Sequence, residues 1–166
     1  MEQHLSLNGW DAHIGFSACH ILLRHEKCSH IHGHSYCIHL RIFGRMDEDS
    51  MLSDFGAIKS KLRGLAEELD HRILVPTANP DIKVGNDPTG QNIVLEMAER
   101  TYSFPRTDVV LLPLRASTVE ELSRYILGRF VSEWRVPENV DRIELGIEEG
   151  RGQGAWASMD IRSRAS

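Results

Sequence analysis

Alternating apolar residues near both ends of the chain, and two amphipathic helical stripes between them, predict an α+β fold. The expected core is a four-stranded antiparallel sheet with two helices on one face. The elements run β-β-α-α-β-β, with an insertion between the helices. Strands and helices are segregated along the chain rather than alternating β-α-β, which argues against a doubly wound parallel sheet. With 166 residues, 41% hydrophobic and 26% charged, the chain suits one domain over residues 1–166 with a continuous core.

The first two strands are read over 12–22 and 34–44. Phe16, Ala18 and His20 share one parity, and His34, Tyr36, Ile38, Leu40 and Ile42 share another. The connection from Arg24 to Gly33 is polar, His-rich and longer than a tight hairpin needs, as loops that carry function often are. Ser53 or Asp54 caps a helix whose apolar positions Phe55, Ile58, Leu62, Leu65 and Leu69 form one stripe ending near Asp70-His71. Residues 72–112 mix short apolar runs with Pro and Gly. Ile82 to Val84 and Ile93 to Met97, separated by turn residues, read as a small hairpin; a helix over Ile93 to Arg100 is the alternative. Ser117 and Thr118, each followed three residues later by Glu, signal a second helix that runs to about Trp134. Ile143, Leu145 and Ile147 alternate up to Glu149, and a glycine-rich turn returns the chain through Trp156 to Ile161. No Lys-Ser/Thr follows that turn, so a phosphate loop is not indicated.

Nineteen Lys and Arg against 24 Asp and Glu leave a net charge of −5. No general attraction to nucleic acid or anionic membrane is expected. The longest apolar runs fall far short of a membrane span, and Met1 to Asn8 lacks a basic-then-apolar leader, which predicts a soluble cytoplasmic protein. Three cysteines in one short region, Cys19, Cys28 and Cys37, argue against a disulfide framework.

Eight of the nine histidines fall in the first 39 residues. His32-Gly33-His34 places two imidazoles on one face of an extended backbone, and Gly33 removes a side chain from the other. His20, near the end of the preceding strand, is positioned by antiparallel pairing to add a third nitrogen. Three protein ligands leave zinc the open position that a catalytic site needs. Satisfied surface or core histidines are one alternative; a structural zinc with Cys28 as fourth ligand is another. Cys28, four residues before His32, is also a candidate thiolate base or nucleophile. Cys19 and Cys37 lie within strands and read as small buried residues. Asp70-His71 is either a local helix-end cap or a proton-transfer pair. Glu149 shares the parity of the inward strand residues and Glu148 does not, which favours Glu149 as an inward acid.

Taken together, the segments Phe16-Ser17-Ala18-Cys19-His20, Cys28-Ser29-His30-Ile31-His32-Gly33-His34, Leu69-Asp70-His71, Ser117-Thr118-Val119-Glu120 and Glu149 resemble the 6-pyruvoyltetrahydropterin and 6-carboxytetrahydropterin synthase family. The resemblance implies the tunnelling fold, in which three subunits close a twelve-stranded barrel and two trimers form a homohexamer with interface active sites. It implies zinc on His20, His32 and His34, and a proton-transfer group of Cys28, Asp70 and His71. Glu149 anchors the pterin in that scheme, with Thr118 assisting and Glu148 as the alternative acid. The implied substrate is 7,8-dihydroneopterin triphosphate. The spacing of Cys28 and His32 resembles the carboxytetrahydropterin branch, which feeds queuosine or archaeosine precursors. The alternatives are the pyruvoyl-forming synthase and a non-catalytic zinc- or pterin-binding member. A further branch, which cleaves the side chain to a hydroxymethyl product, uses a Glu near the Cys position, and Glu26 lies two residues before Cys28. The insertion from about Arg72 to Arg115 resembles the longer archaeal-type members.

Overall fold

The computed structural model describes residues 3–24 and 27–162. Strand β1 (Gln3–Leu7) leads through a single helical turn, α1 (Gly9–Ala12), into β2 (Gly15–His20). Strand β3 (His32–Gly44) is 13 residues long and serves both. Its first half pairs antiparallel with β2, from Gly15 opposite Cys37 to His20 opposite His32, and its second half pairs with β1. The short turn is set by Asn8, whose side chain accepts from the Trp10 N–H at 3.0 Å, and by His13 in the left-handed region at φ 52°. Gly9 is required there, because a Cβ would stand 2.0 Å from the Ile38 carbonyl oxygen.

Helix α2 (Phe55–Glu67) is capped by Asp54, which accepts from the Gly56 and Ala57 N–H groups; α3 (Val119–Glu133) is capped by Thr118. Ile58, Leu62 and Leu65 of α2 and Leu122, Ile126 and Phe130 of α3 are buried with Phe16, Ile38, Leu40, Ile143 and Ile147 of the sheet. Each such side chain contributes about 1.5–3 kcal/mol on burial. Phe55, expected on the buried stripe, is 44% exposed because it stands at the first helical position, before the helix has met the sheet.

The last antiparallel pair, β9 (Val140–Glu149) and β10 (Gly154–Asp160), joins β3 as expected. The insertion departs from expectation. Between the helices lie β4 (Arg72–Pro76), β5 (Lys83–Asn86), β6 (Asn92–Met97), β7 (Arg100–Pro105) and β8 (Val109–Leu112). Strands β4 and β8 extend the main sheet in parallel, giving the order β10-β9-β3-β2-β4-β8 with β1 beside β3. The four antiparallel strands β10-β9-β3-β2 are therefore one side of a seven-stranded mixed sheet. Strands β5, β6 and β7 form a separate antiparallel sheet, in which the expected hairpin pairs Val84 with Leu95 and no helix covers Ile93 to Arg100. This small sheet packs Ile93, Leu95 and Met97 against Ile21 and the partly buried Leu23 and Ile31, which flank the His-rich loop.

Candidate active site

The antiparallel register of β2 and β3 sets His20 directly opposite His32, and His34 follows two residues on along the same face. One ring nitrogen from each lies within 4.8 Å of the others. The opposite face is kept close by Gly33, where a Cβ would meet the Cys19 sulfur at 3.2 Å. His20 is 1% exposed, and its burial pushes the imidazole below its ordinary pKa, favouring the neutral ring.

Hydrogen bonding decides which nitrogens are free. His20 Nδ1 lies 2.9 Å from the Ser117 carbonyl oxygen, and His32 Nδ1 lies 2.8 Å from the His30 carbonyl oxygen. A carbonyl only accepts, so in the neutral rings both protons are assigned to Nδ1 and both Nε2 atoms carry lone pairs. Those two Nε2 atoms face each other at 3.1 Å. Two lone pairs in that arrangement repel unless a cation lies between them. His34 Nε2 is buried without a hydrogen-bond partner; it stands 3.2 Å from Glu149 Oε1 but out of hydrogen-bonding alignment. The donor set thus fits a metal ion, with the backbone carbonyls orienting the rings from behind.

Glu149, at the end of β9 and opposite Tyr36 in the β3 register, brings its second oxygen to 3.9 Å from His20 Nε2. The Tyr36 hydroxyl donates to that oxygen at 3.5 Å, and burial beside this carboxylate raises the phenol pKa. Glu148 points to the other sheet face. It accepts from the Trp10 indole N–H at 2.5 Å and lies 3.6 Å from His39 Nε2, and the indole holds its pKa below the usual carboxylate range. The alternation of β9 therefore separates the two acids, and Glu149 is the one beside the histidines.

The sequence profile of the 6-pyruvoyl tetrahydropterin synthase family matches residues 11–160. The chain belongs to this family. Its α+β fold matches the tunnelling-fold structures: a catalytic-residue variant of the Plasmodium vivax 6-pyruvoyltetrahydropterin synthase superposes with a TM-score of 0.89. Identity is 25%, and 97% of this chain and 99% of that one are covered. A putative 6-carboxy-5,6,7,8-tetrahydropterin synthase from Methanocaldococcus jannaschii is 32% identical over 154 residues, covering 91% of this chain and 93% of the relative. The dihydroneopterin monophosphate aldolase of Pyrococcus furiosus is 31% identical over 96 residues, which is 58% of this chain and 76% of that protein.

The remaining family-motif residues fall in three places. Cys28 is half-buried in a single 3-10 turn, Lys27–Ser29, and its carbonyl accepts from the Leu22 N–H at 2.8 Å. Glu26 lies outside the described residues. Asp70 and His71 follow α2 and are tied to Ser17: the Ser17 N–H donates to Asp70 Oδ1 at 2.7 Å, and the His71 N–H donates to the Ser17 carbonyl at 2.7 Å. Asp70 Oδ2 sits 2.9 Å from His71 Nδ1. The Ser17 N–H, and then His71, hold the Asp70 pKa low. His71 has a left-handed backbone at φ 56° and a side chain 80% exposed. It opens on a cleft of about 470 Å³ lined by Ser17, Cys19, Gly33 and Ser35, whose parity is opposite to that of the three histidines, and also by Ala18 and His34. Among the described residues neither Asp70 nor His71 hydrogen-bonds to the triad.

Thr118 caps α3 through its side chain, which accepts from the Glu121 N–H at 3.4 Å. It also lines a pocket of about 400 Å³ with Ile21, Arg24, Asp81 and Arg115. Sequence reasoning missed Ser117 and Tyr36 as partners of His20. Tyr36 carried a signal, being two residues beyond His34 on the same face; the Ser117 contact is made by a backbone carbonyl and left none. Cys37 is buried, donates to the Ile14 carbonyl at 3.6 Å, and has its pKa pushed up to about 12 by burial.

Proposed function

We propose that the chain is a zinc-dependent 6-carboxy-5,6,7,8-tetrahydropterin synthase, converting 7,8-dihydroneopterin triphosphate to 6-carboxytetrahydropterin, acetaldehyde and triphosphate. The observation that carries this reading is the convergence of His20, His32 and His34, whose ring nitrogens lie within 4.8 Å of one another. The names of curated relatives over nine-tenths of the chain support the carboxy product. Zinc held there supplies a Lewis acid that makes the protons of the substrate's side-chain hydroxyls easier to remove.

Each nearby residue has a task consistent with its geometry. Ser117 and His30 hold His20 and His32 in the tautomer that presents Nε2. Glu149, a carboxylate braced by Tyr36, accepts hydrogen bonds from the amidine-like edge of the pterin ring. Thr118, next to the Ser117 carbonyl that orients His20, assists in holding the substrate. Cys28 moves a proton to or from the side chain. Asp70 fixes the His71 ring so that its Nε2 gives or takes the second proton, as a carboxylate behind an imidazole does. Because neither Asp70 nor His71 hydrogen-bonds to the triad among the described residues, His71 is assigned to the site of another copy in a homohexamer of two trimers.

A second reading keeps the same site and changes the product. Solved structures of the same shape are named 6-pyruvoyltetrahydropterin synthases, and one relative is named as an aldolase. Mass spectrometry of the products from zinc-loaded protein and 7,8-dihydroneopterin triphosphate, beside a chelator-treated control, separates these. Carboxytetrahydropterin with acetaldehyde is expected. A pyruvoyl or hydroxymethyl product would reassign the reaction, and unchanged substrate in both samples would leave a binding protein.

A further inference from the structure

The insertion between the helices does more than widen the sheet. Arg100, the first residue of β7, donates from Nη1 to the Ser29 carbonyl oxygen at 2.5 Å in a half-buried contact. One residue earlier, the Cys28 carbonyl is held by the Leu22 N–H at 2.8 Å, and the His30 N–H closes the turn on the Lys27 carbonyl at 3.4 Å. The peptide planes on either side of Ser29 are therefore both pinned, one by the loop's own backbone and one by the small sheet. The Cys28 Cα–Cβ direction is set by the two planes flanking Cys28, which are held by the Leu22 N–H and the His30 N–H, and Arg100 acts on it through the Ser29–His30 peptide that carries the latter. The same small sheet grips the loop at both ends, through Ile21 and Leu23 before the turn and Ile31 after it. Arg24 adds an ion pair to Asp81 of the insertion, Nη2 to Oδ2 at 2.9 Å, but both partners are largely exposed and the pair is weak. The Arg100 contact differs because a partly shielded guanidinium bond to a carbonyl is charge-assisted and geometrically demanding.

We infer that the three-stranded sheet β5-β6-β7 is the scaffold that aims the Cys28 thiol, and that Arg100 is its positioning residue. The inference rests on the proposed reading of Cys28 as a proton-transfer group. Strands β6 and β7 already pair their backbones with each other, so the Arg100 contact to the Cys28 turn is additional to what holds the small sheet together. Loops that carry chemistry depend on such rigid supports, and small misplacements of a reacting group are costly.

The test compares Arg100→Met, Arg100→Lys and Arg106→Met in the full-length, zinc-loaded protein. Arg106 belongs to the same insertion but donates to Asn86 and the Gly90 carbonyl, so its loss loosens the insertion without touching the Cys28 turn. Peptide-resolved alkylation of Cys28 with iodoacetamide, metal content, kcat and KM are measured for each. For Arg100→Met the expected results are a changed Cys28 alkylation rate, one zinc per chain retained, kcat lowered roughly ten- to hundredfold and KM moved less than about threefold. Arg100→Lys, which keeps one donor, recovers part of both the rate and the alkylation pattern. Arg106→Met matches the parent in both. Parental kcat and parental Cys28 alkylation in folded Arg100→Met would overturn the inference. Altered alkylation with parental kcat would also overturn it, by confining Arg100 to loop packing. If the methionine variant does not fold, Arg100→Lys against Arg106→Met carries the same comparison. A Cys28→Ala protein with full turnover would retire the proposed role of the thiol itself, an outcome read separately from the alkylation data.

Discussion

Replacing Asp70 by Asn isolates the electrostatic part of the Asp70-His71 pair with almost no change of shape. One amide oxygen still accepts the Ser17 N–H at the 2.7 Å position, so the chain junction after α2 is kept. The other position, 2.9 Å from His71 Nδ1, now carries an NH2 donor where a carboxylate stood. His71 can then meet it only by turning its lone pair inward, which moves the ring proton to Nε2 and removes charge support for the imidazolium. The stability cost is small: His71 is 80% exposed, so the lost ion pair is worth about 0–1 kcal/mol after solvent screening. That corresponds to a Tm lowered by no more than about 4 °C in a chain of this size. The catalytic cost is larger, because a general acid–base group contributes about 10²–10⁴ in rate and depends on the correct tautomer. Steady-state release of triphosphate should show kcat down at least about a hundredfold with KM nearly constant. A kcat within about threefold of the parent, in a variant that melts normally, would refute the assignment of Asp70 and His71 to proton transfer.

Other perturbations have equally definite outcomes. His34→Ala removes the one triad nitrogen that is buried without a hydrogen-bond partner, so metal analysis should fall from one ion per chain to a small fraction. Its Tm should change little, because the apolar core lies along the sheet and helices rather than around the metal. Gly9→Ala forces a methyl to 2.0 Å from the Ile38 carbonyl and 2.7 Å from the Cys37 sulfur, and denaturant titration should show a loss of about 1–3 kcal/mol. Trp10→Phe removes the N–H that depresses the Glu148 pKa. A depressed carboxyl pKa stabilises the fold above the unfolded value near 4.5, and that contribution is lost as pH falls through the lower folded value. The stability gap between parent and Trp10→Phe should therefore be full at neutral pH and shrink below about pH 4.5; a gap independent of pH would disprove the coupling.

The antiparallel strands were legible because one face packs against the helices, so the alternation of Tyr36, Ile38, Leu40 and Ile42 reports them, although Cys37 and His39 of the other parity are buried as well. Strands β4 and β8 were not read as strands of the main sheet. Ile73, Leu74 and Val75, and Val109 to Leu112, are continuous apolar runs that join a sheet in parallel, and such runs lose the period of two. β7 was hidden for the opposite reason: Arg100, Thr101 and Ser103 make it look like loop, and its pattern acquires meaning only beside β6. β1 and α1 escaped because one capped turn interrupts what would otherwise be a single long strand opposite β3. At the site, the histidine register and the choice of Glu149 over Glu148 followed from parity alone. The Ser117 carbonyl behind His20 and the Arg100 grip on Ser29 did not, since backbone acceptors and sequence-distant contacts have no residue-type signature.

The separation of the triad from Asp70-His71 sets the last expectation. Ser17 carries both Asp70 and His71 on its backbone, and its parity is opposite to that of His20 three residues on. The Ser17 side chain and the triad therefore project to opposite faces of the sheet; the His71 cleft reaches the triad only at His34, and among the described residues neither Asp70 nor His71 hydrogen-bonds to it. In the proposed hexamer the two meet across a subunit boundary, and each defect is then correctable by a different neighbour. Mixing His34→Ala with His71→Ala, after dissociation and reassembly, should restore about one quarter of parental activity, because half the chains supply a sound triad and half a sound His71 at random. Each variant reassembled alone should stay inactive. If the mixture is as inactive as its components while size analysis shows mixed hexamers, the triad and His71 act within a single chain and the proposed interface site is wrong.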